Sequence, residues 1–403
     1  MIRFELAALI GLAAVLPLLE GPKNLFWALY VLAWLANRAR ARDFGGPWDR
    51  WDTVIVAWIG AAFAAVAFAG LGSEWRDTVD VMRYASVLWL MKRSRYSDRV
   101  LVALLVALAA GTLAALAVGY YRILLTTDYR YLGLKSVGHV NHSAIYLAIA
   151  LGATLMATRA WWRPAAAPWR VAGLVATILF VVSLFVMQSR AAVGAAIVVV
   201  AALLLAYAVR HRRGMRRLAL AAAILTGLGL AAKPEVVEKN YLQVERSGTL
   251  LSFRENIWRA GLLAWRDHPV FGVGVHSWGE ISEQVLEQSA QRRGEPPDLQ
   301  GLMFSSHGHS LYLNTLVEQG LVGLAAVLAV LIVWGVELAR RIPAAHAPPL
   351  EWSYWGGAAG AWMVAVIVGS VNTTLHHEHA LISMLLLGGW LSLNRRTSAP
   401  RAP

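Results

Sequence analysis

Three side chains stand where their chemistry is costly unless something is bound: Arg190, Arg254 and His309. Arg190 follows the tight turn Gln188-Ser189 between two apolar runs. Ser189 is a natural N-cap, which puts Arg190 in a first helical turn, where the helix dipole disfavours a cation and attracts phosphate. Arg254 lies in the amphipathic stretch 249–267. At about 100° per residue, Leu251, Trp258, Gly261, Leu262 and Trp265 surround it, so it sits in the apolar stripe. A guanidinium aimed into a packed face needs an anion. Arg259 falls on the other side, and Glu255 at i, i+4 explains it without a ligand. His309 opens a late apolar run, and a helix N-terminus keeps an imidazole neutral, the form that a general base requires. Each also has a plainer reading. Arg254 snorkels over apolar surface, Arg190 meets lipid headgroups, and His309 bonds headgroups or backbone.

Further candidates gather around these. His307, His142, Arg130 and Arg259 are counted as substrate-binding together with Arg190 and Arg254. For His142 and Arg130, as for His139, Asn141 and Lys135, lining a shared cavity and merely facing water are equally open readings. His376 and His377 read as interfacial, Asp80 and Arg83 as an i, i+3 structural pair, and Gly272-Val273-Gly274-Val275 as a turn after Pro269. His307 has no carboxylate companion at ligand spacing, and the loops sharing this face have no D-x-D. No metal and no cofactor is therefore expected. Two arginines can hold a diphosphate bidentately without one, and apolar helices below would take a lipid tail. The chemistry suggested is transfer from a lipid-linked pyrophosphate, with His309 deprotonating an acceptor hydroxyl.

What must position these residues is a membrane-embedded helical chain. Of its 403 residues 58% are hydrophobic and 15% charged, with a mean hydropathy of +0.52. Soluble domains carry roughly 25% charged residues. The absence of cysteine excludes disulfide scaffolds, thiolate metal sites and cysteine nucleophiles. Twelve apolar stretches read as spans, at about 5–19, 24–37, 53–72, 79–91, 100–119, 143–158, 170–188, 190–209, 217–232, 310–338, 353–374 and 379–393. The first reads as an uncleaved span, not a signal peptide. The net charge of +13 does not call for nucleic acid: 22 cationic residues fall in one set of loops and termini, against six in the opposite short loops. By the positive-inside rule both termini are cytoplasmic. The chain divides into spans one to nine (1–232), a long outer loop with two or more helices (233–308), and spans ten to twelve with a tail (309–403). The loop carries eight Lys/Arg against ten Asp/Glu, so it is not a bulk basic surface. Its expected helices are 249–267, ended by Asp267-His268-Pro269, and 276–293.

Three motifs in order resemble the O-antigen ligase and polymerase family. They are Ser189-Arg190-Ala191-Ala192; Arg254-x-x-x-Trp258 followed by His268-Pro269-x-x-Gly272-x-Gly274; and His309-Ser310-Leu311-Tyr312-Leu313 followed by Glu318-x-Gly320-Leu321-x-Gly323. The resemblance runs from about span seven to span ten. Ser310 departs from it, since the family often has Asn there. It implies an all-α, GT-C-like polytopic membrane protein of about 12 transmembrane helices with one helical periplasmic loop, acting as a metal-independent, inverting glycosyltransferase. Its donor would be undecaprenyl-pyrophosphate-linked O-antigen and its acceptor lipid A–core, met among membrane lipids at the periplasmic face of the inner membrane. Arg190, Arg254 and His309 match the family's functional positions. A polymerase shares the donor and stays open beside the ligase. A transporter or flippase would call for an internal repeat, and none is found.

Overall fold

The computed structural model describes residues 2–72, 75–126, 131–211, 251 and 253–397. Among them the chain forms thirteen α-helices and no strand: α1 Ile2–Val15, α2 Glu20–Ala41, α3 Arg50–Ala67, α4 Val79–Lys92, α5 Asp98–Leu125, α6 Val140–Ala160, α7 Ala167–Met187, α8 Arg190–His211, α9 Arg254–Trp265, α10 Glu283–Arg293, α11 Leu311–Arg340, α12 Pro349–Gly369 and α13 His377–Thr397. Six of them, α3, α5, α6, α7, α8 and α11, are long and apolar enough to cross a membrane. The chain is thus a polytopic membrane protein. The expected spans outside 217–232 all fall on helices; 217–232 lies outside the described residues, as does the start of the long loop.

Small residues let the central helices approach closely. A Cβ on Gly360 of α12 would lie 3.4 Å from the Gly152 Cα of α6, the close backbone packing that drives helix association in lipid. Several charged groups inside the bundle are paired. Asp52 completes a capping box at the start of α3, and its carboxylate is held by Lys92 at 2.7 Å and Arg93 at 2.9 Å. These two cations, counted with the solvated loops in the sequence, are buried instead. At the other end of the bundle Glu378 is buried against Lys23 and accepts from Ser136 Oγ at 2.8 Å.

The helices of the long loop differ from expectation. The first begins only at Arg254, after Phe253 in the left-handed region (φ 63°). Its buried residues are Ile257, Ala260, Gly261 and Ala264, on a face rotated by about 120° from the large apolar residues. Leu262 is exposed. The face was misread because bulk was taken for burial: Trp278 packs flat there, and a Cβ on Gly261 would lie 2.4 Å from its ring. Burying such an indole removes roughly 150–250 Å² from water, worth about 4–6 kcal/mol, and only small neighbours admit it. The second expected helix is split into a 3₁₀ turn, Ser277–Glu280, and α10.

The glycine motifs join this loop to α11. Gly320 breaks α11 with φ 66° and ψ −165°, a conformation essentially reserved for glycine. The freed backbone pairs with residues 269–274: Val273 N donates to Val317 O (2.8 Å), Gly274 N to Glu318 O (3.0 Å), Leu321 N to Pro269 O (2.9 Å) and Val322 N to Val270 O (3.2 Å). Cβ atoms on Gly272 and Gly320 would lie 2.5 and 2.2 Å from the opposing backbone. The segment read as a plain turn is therefore a main-chain seam. The same segment docks on the α3–α4 connection, through Leu71 N to Val273 O at 2.9 Å and Ser277 Oγ to Gly72 O at 3.0 Å.

Candidate functional site

The seam, Trp278 and α9 together fix the strand of chain that carries His309. Trp258 of α9 donates through Nε1 to Gly308 O at 2.7 Å, and Gly308 N donates to Asn314 Oδ1 at 2.8 Å. Asn314 Nδ2 donates onward to Glu318 at 2.9 Å, whose other carboxylate oxygen accepts from Trp278 N at 3.3 Å. A Cβ on Gly308 would lie 2.5 Å from the Trp278 ring. The Arg254-x-x-x-Trp258 and Glu318 motifs thus meet at one loop, and that loop aims His309.

His309 is not in the first turn of α11. Ser310 is the N-cap, accepting from Leu313 N, so its hydroxyl does the work of the amide often found there. His309 precedes it at φ 46°, a strained conformation for a non-glycine residue. Its imidazole is nonetheless neutral, for a different reason than the helix terminus. Burial lowers its pKa first, then the charges of His307, Arg254 and His139, to about 4. Its Nδ1 is buried without a hydrogen-bond partner among the described residues.

Arg190 is the first residue of α8, and Val193 N donates to Ser189 O at 2.9 Å, which puts Ser189 at the N-cap position. Arg254 begins α9 at the edge of its buried face. Burial and the charge of Arg190 hold its guanidinium below its usual range. Two cations close enough to repel, one beside a helix N-terminus, are an arrangement suited to an anion with paired charges. Burial chiefly, then neighbouring histidines and Arg254, lowers the pKa of His307 and His309. The structure therefore brings Arg190, Arg254, His307 and His309 into one electrostatic neighbourhood. Arg259 is not brought there: it pairs with Asp298 and donates to Gln300 O at 3.0 Å. Arg130 lies outside the described residues.

His142 is in the first turn of α6, buried, its ring 6.1 Å from His307. It stacks on His379 at 5.2 Å, with Nδ1 and Nε2 3.0 Å apart. His376 and His377, expected as separate interfacial residues, adjoin it at 6.5 and 5.5 Å, and His276 adjoins His376 at 5.6 Å. This assembly was missed because its members come from α6, the loop segment and the α12–α13 connection; the only signal was that histidines 139, 142, 307, 309, 376, 377 and 379 all border one set of loops. Asp80 and Arg83 do pair, at 3.2 Å. The expectation of no metal-ligand set rested on chain spacing, and the fold brings together one candidate group, Asp80, His276 and His376.

A polytopic membrane protein, all-helical among its described residues, with two arginines and a half-buried histidine drawn together is the class that these features define. In the comparison with known proteins, residues 175–328 match the family described as O-antigen ligase. The match takes in Arg190, Arg254 and His309. A protein of Haemophilus influenzae described as uncharacterized is 28% identical over 102 residues, 25% of this chain and 23% of that protein. The chain thus spans less than a quarter of the length of the curated relative it matches.

Proposed function

We propose that the protein is an O-antigen ligase, moving O-antigen polysaccharide from undecaprenyl pyrophosphate to lipid A–core at the periplasmic face of the inner membrane, with both termini cytoplasmic. The observation that carries this reading is the meeting of Arg190 and Arg254, from two different helices, with an imidazole kept neutral beside Arg254. The arginines bind the pyrophosphate and stabilise the charge that develops as it leaves. His309 removes the proton of the acceptor hydroxyl as its oxygen attacks the anomeric carbon from the face opposite the leaving pyrophosphate, inverting that centre. No metal is assigned to the leaving group, since the arginines supply its counter-charge. The test is a gel of lipopolysaccharide and of the lipid-linked pool from a strain lacking the gene. Loss of all O-antigen from lipid A, with long chains retained on the lipid carrier, is expected. A single repeat on the core would instead make the protein a polymerase.

A further inference from the structure

We infer that Asp80, His276 and His376 form a binding site for a divalent transition-metal ion of the zinc type, which clips the loop segment to the helical bundle. The three residues come from separate parts of the chain: Asp80 from the first turn of α4, His276 from the turn before Ser277–Glu280, and His376 from the connection between α12 and α13. One ligand atom from each lies within 4.8 Å of the others, and His276 Nε2 is 4.0 Å from Asp80 Oδ2. Around Zn²⁺, at metal–ligand distances of about 2.0–2.2 Å, ligand atoms stand roughly 3.3–3.5 Å apart. A shift of about an ångström closes the group. His276 is the residue free to make it, being exposed on a turn at φ 60°.

The other two ligands are held in place. Arg83 takes Asp80 Oδ1 at 3.2 Å and leaves Oδ2 toward His276, the outer-shell support that ligating carboxylates generally have. His376 is tied through its backbone N to His379 Nδ1 at 3.4 Å, and its own Nδ1 is buried with no hydrogen-bond partner among the described residues. Two imidazoles and one carboxylate suit zinc and its borderline neighbours rather than Mg²⁺ or Ca²⁺, which require oxygen donors. An ion here would bridge α4, the loop segment that packs on α9, and the start of α13. It would reinforce a junction otherwise made by Leu71–Val273 and Ser277–Gly72 hydrogen bonds. The site uses none of Arg190, Arg254 and His309, although His376 adjoins His142 at 6.5 Å.

The full-length protein, purified without a polyhistidine tag and stripped with EDTA, is titrated with Zn²⁺ alone in nanodiscs. One equivalent should bind and raise the unfolding temperature. His276→Ala, which replaces an exposed side chain, should weaken binding by at least about tenfold and abolish the thermal shift, as should Asp80→Asn. His139→Ala, in a neighbouring histidine outside the group, should keep both. Absence of binding in the wild type overturns the site. So does unchanged binding in His276→Ala, which would give the ion to other histidines of the assembly.

Discussion

The pH dependence of transfer follows from the surroundings of His309. An ordinary imidazole titrates near pH 6.5, whereas His309 is pulled down to about 4 by burial and by His307, Arg254 and His139. The difference corresponds to roughly 3 kcal/mol against the imidazolium form. For a base that works only when neutral, the sign is fixed: activity is full above the pKa and lost as pH falls through it. At pH 5.5 a group titrating near 4 is still about 97% neutral, whereas one titrating at 6.5 is only about 9% neutral. Between pH 7.5 and 5.5, kcat/KM for transfer from lipid-linked donor should therefore change by a few per cent rather than about tenfold. The acid limb of kcat/KM reports the free enzyme and should appear near pH 4. The limb of kcat reports the donor complex and should lie higher, because the bound pyrophosphate opposes the charge of Arg254. The assay is initial-rate ligation by purified protein in nanodiscs, with refolding controls at each pH. A kcat/KM limb near 6.5 would refute the reasoning: the proton acceptor would then be an ordinary exposed histidine.

His309→Ala should abolish transfer yet retain lipid-linked donor in a nanodisc binding assay, whereas Arg254→Ala should lose both; equal loss of donor binding in the two variants would make His309 a phosphate ligand instead. Arg254→Lys should lose most activity although it keeps the charge, because bidentate geometry is lost. Arg259→Ala, which removes an exposed pair with Asp298, should change stability by no more than a few tenths of a kcal/mol and leave transfer nearly intact; a dead Arg259 variant beside an active Arg254→Lys would reverse these assignments. Transfer should persist in EDTA, and rescue of a chelated, inactive enzyme by Mg²⁺ or Mn²⁺ would contradict an arginine-held leaving group. Gly320→Ala places a Cβ 2.2 Å from Val270 O at φ 66°, and thermal unfolding should show a loss of at least about 1–3 kcal/mol.

Helical character and the order of the site motifs were legible because both are local. Apolar runs mark helices wherever they fall, and Ser189 placed Arg190 in its first turn from two neighbouring residues. Arg254 was placed in a stripe that is not the buried one, because helical periodicity shows which residues are large, not which face meets a partner as flat as Trp278. The seam between residues 269–274 and 317–322 left only unexplained glycines in the sequence. Their meaning required knowing what lies opposite each. The histidine assembly was least legible of all: its stacked pair, His142 and His379, is 237 positions apart, and no spacing rule spans that distance.

The seam also bears on how the chain is made. The amides of Val273 and Gly274 find their main-chain acceptors in Val317 and Glu318, so the loop segment is synthesised before the helix that completes it. Its glycines and unpaired amides wait during that interval, and Trp278 waits with them for Val317 to close its pocket. A ribosome stalled just before α11 would leave this segment open to proteases and chaperones. Insertion of one helix then both anchors the chain and finishes the fold of the loop segment, so the biogenesis machinery has a single event by which to distinguish a finished seam from an aborted one.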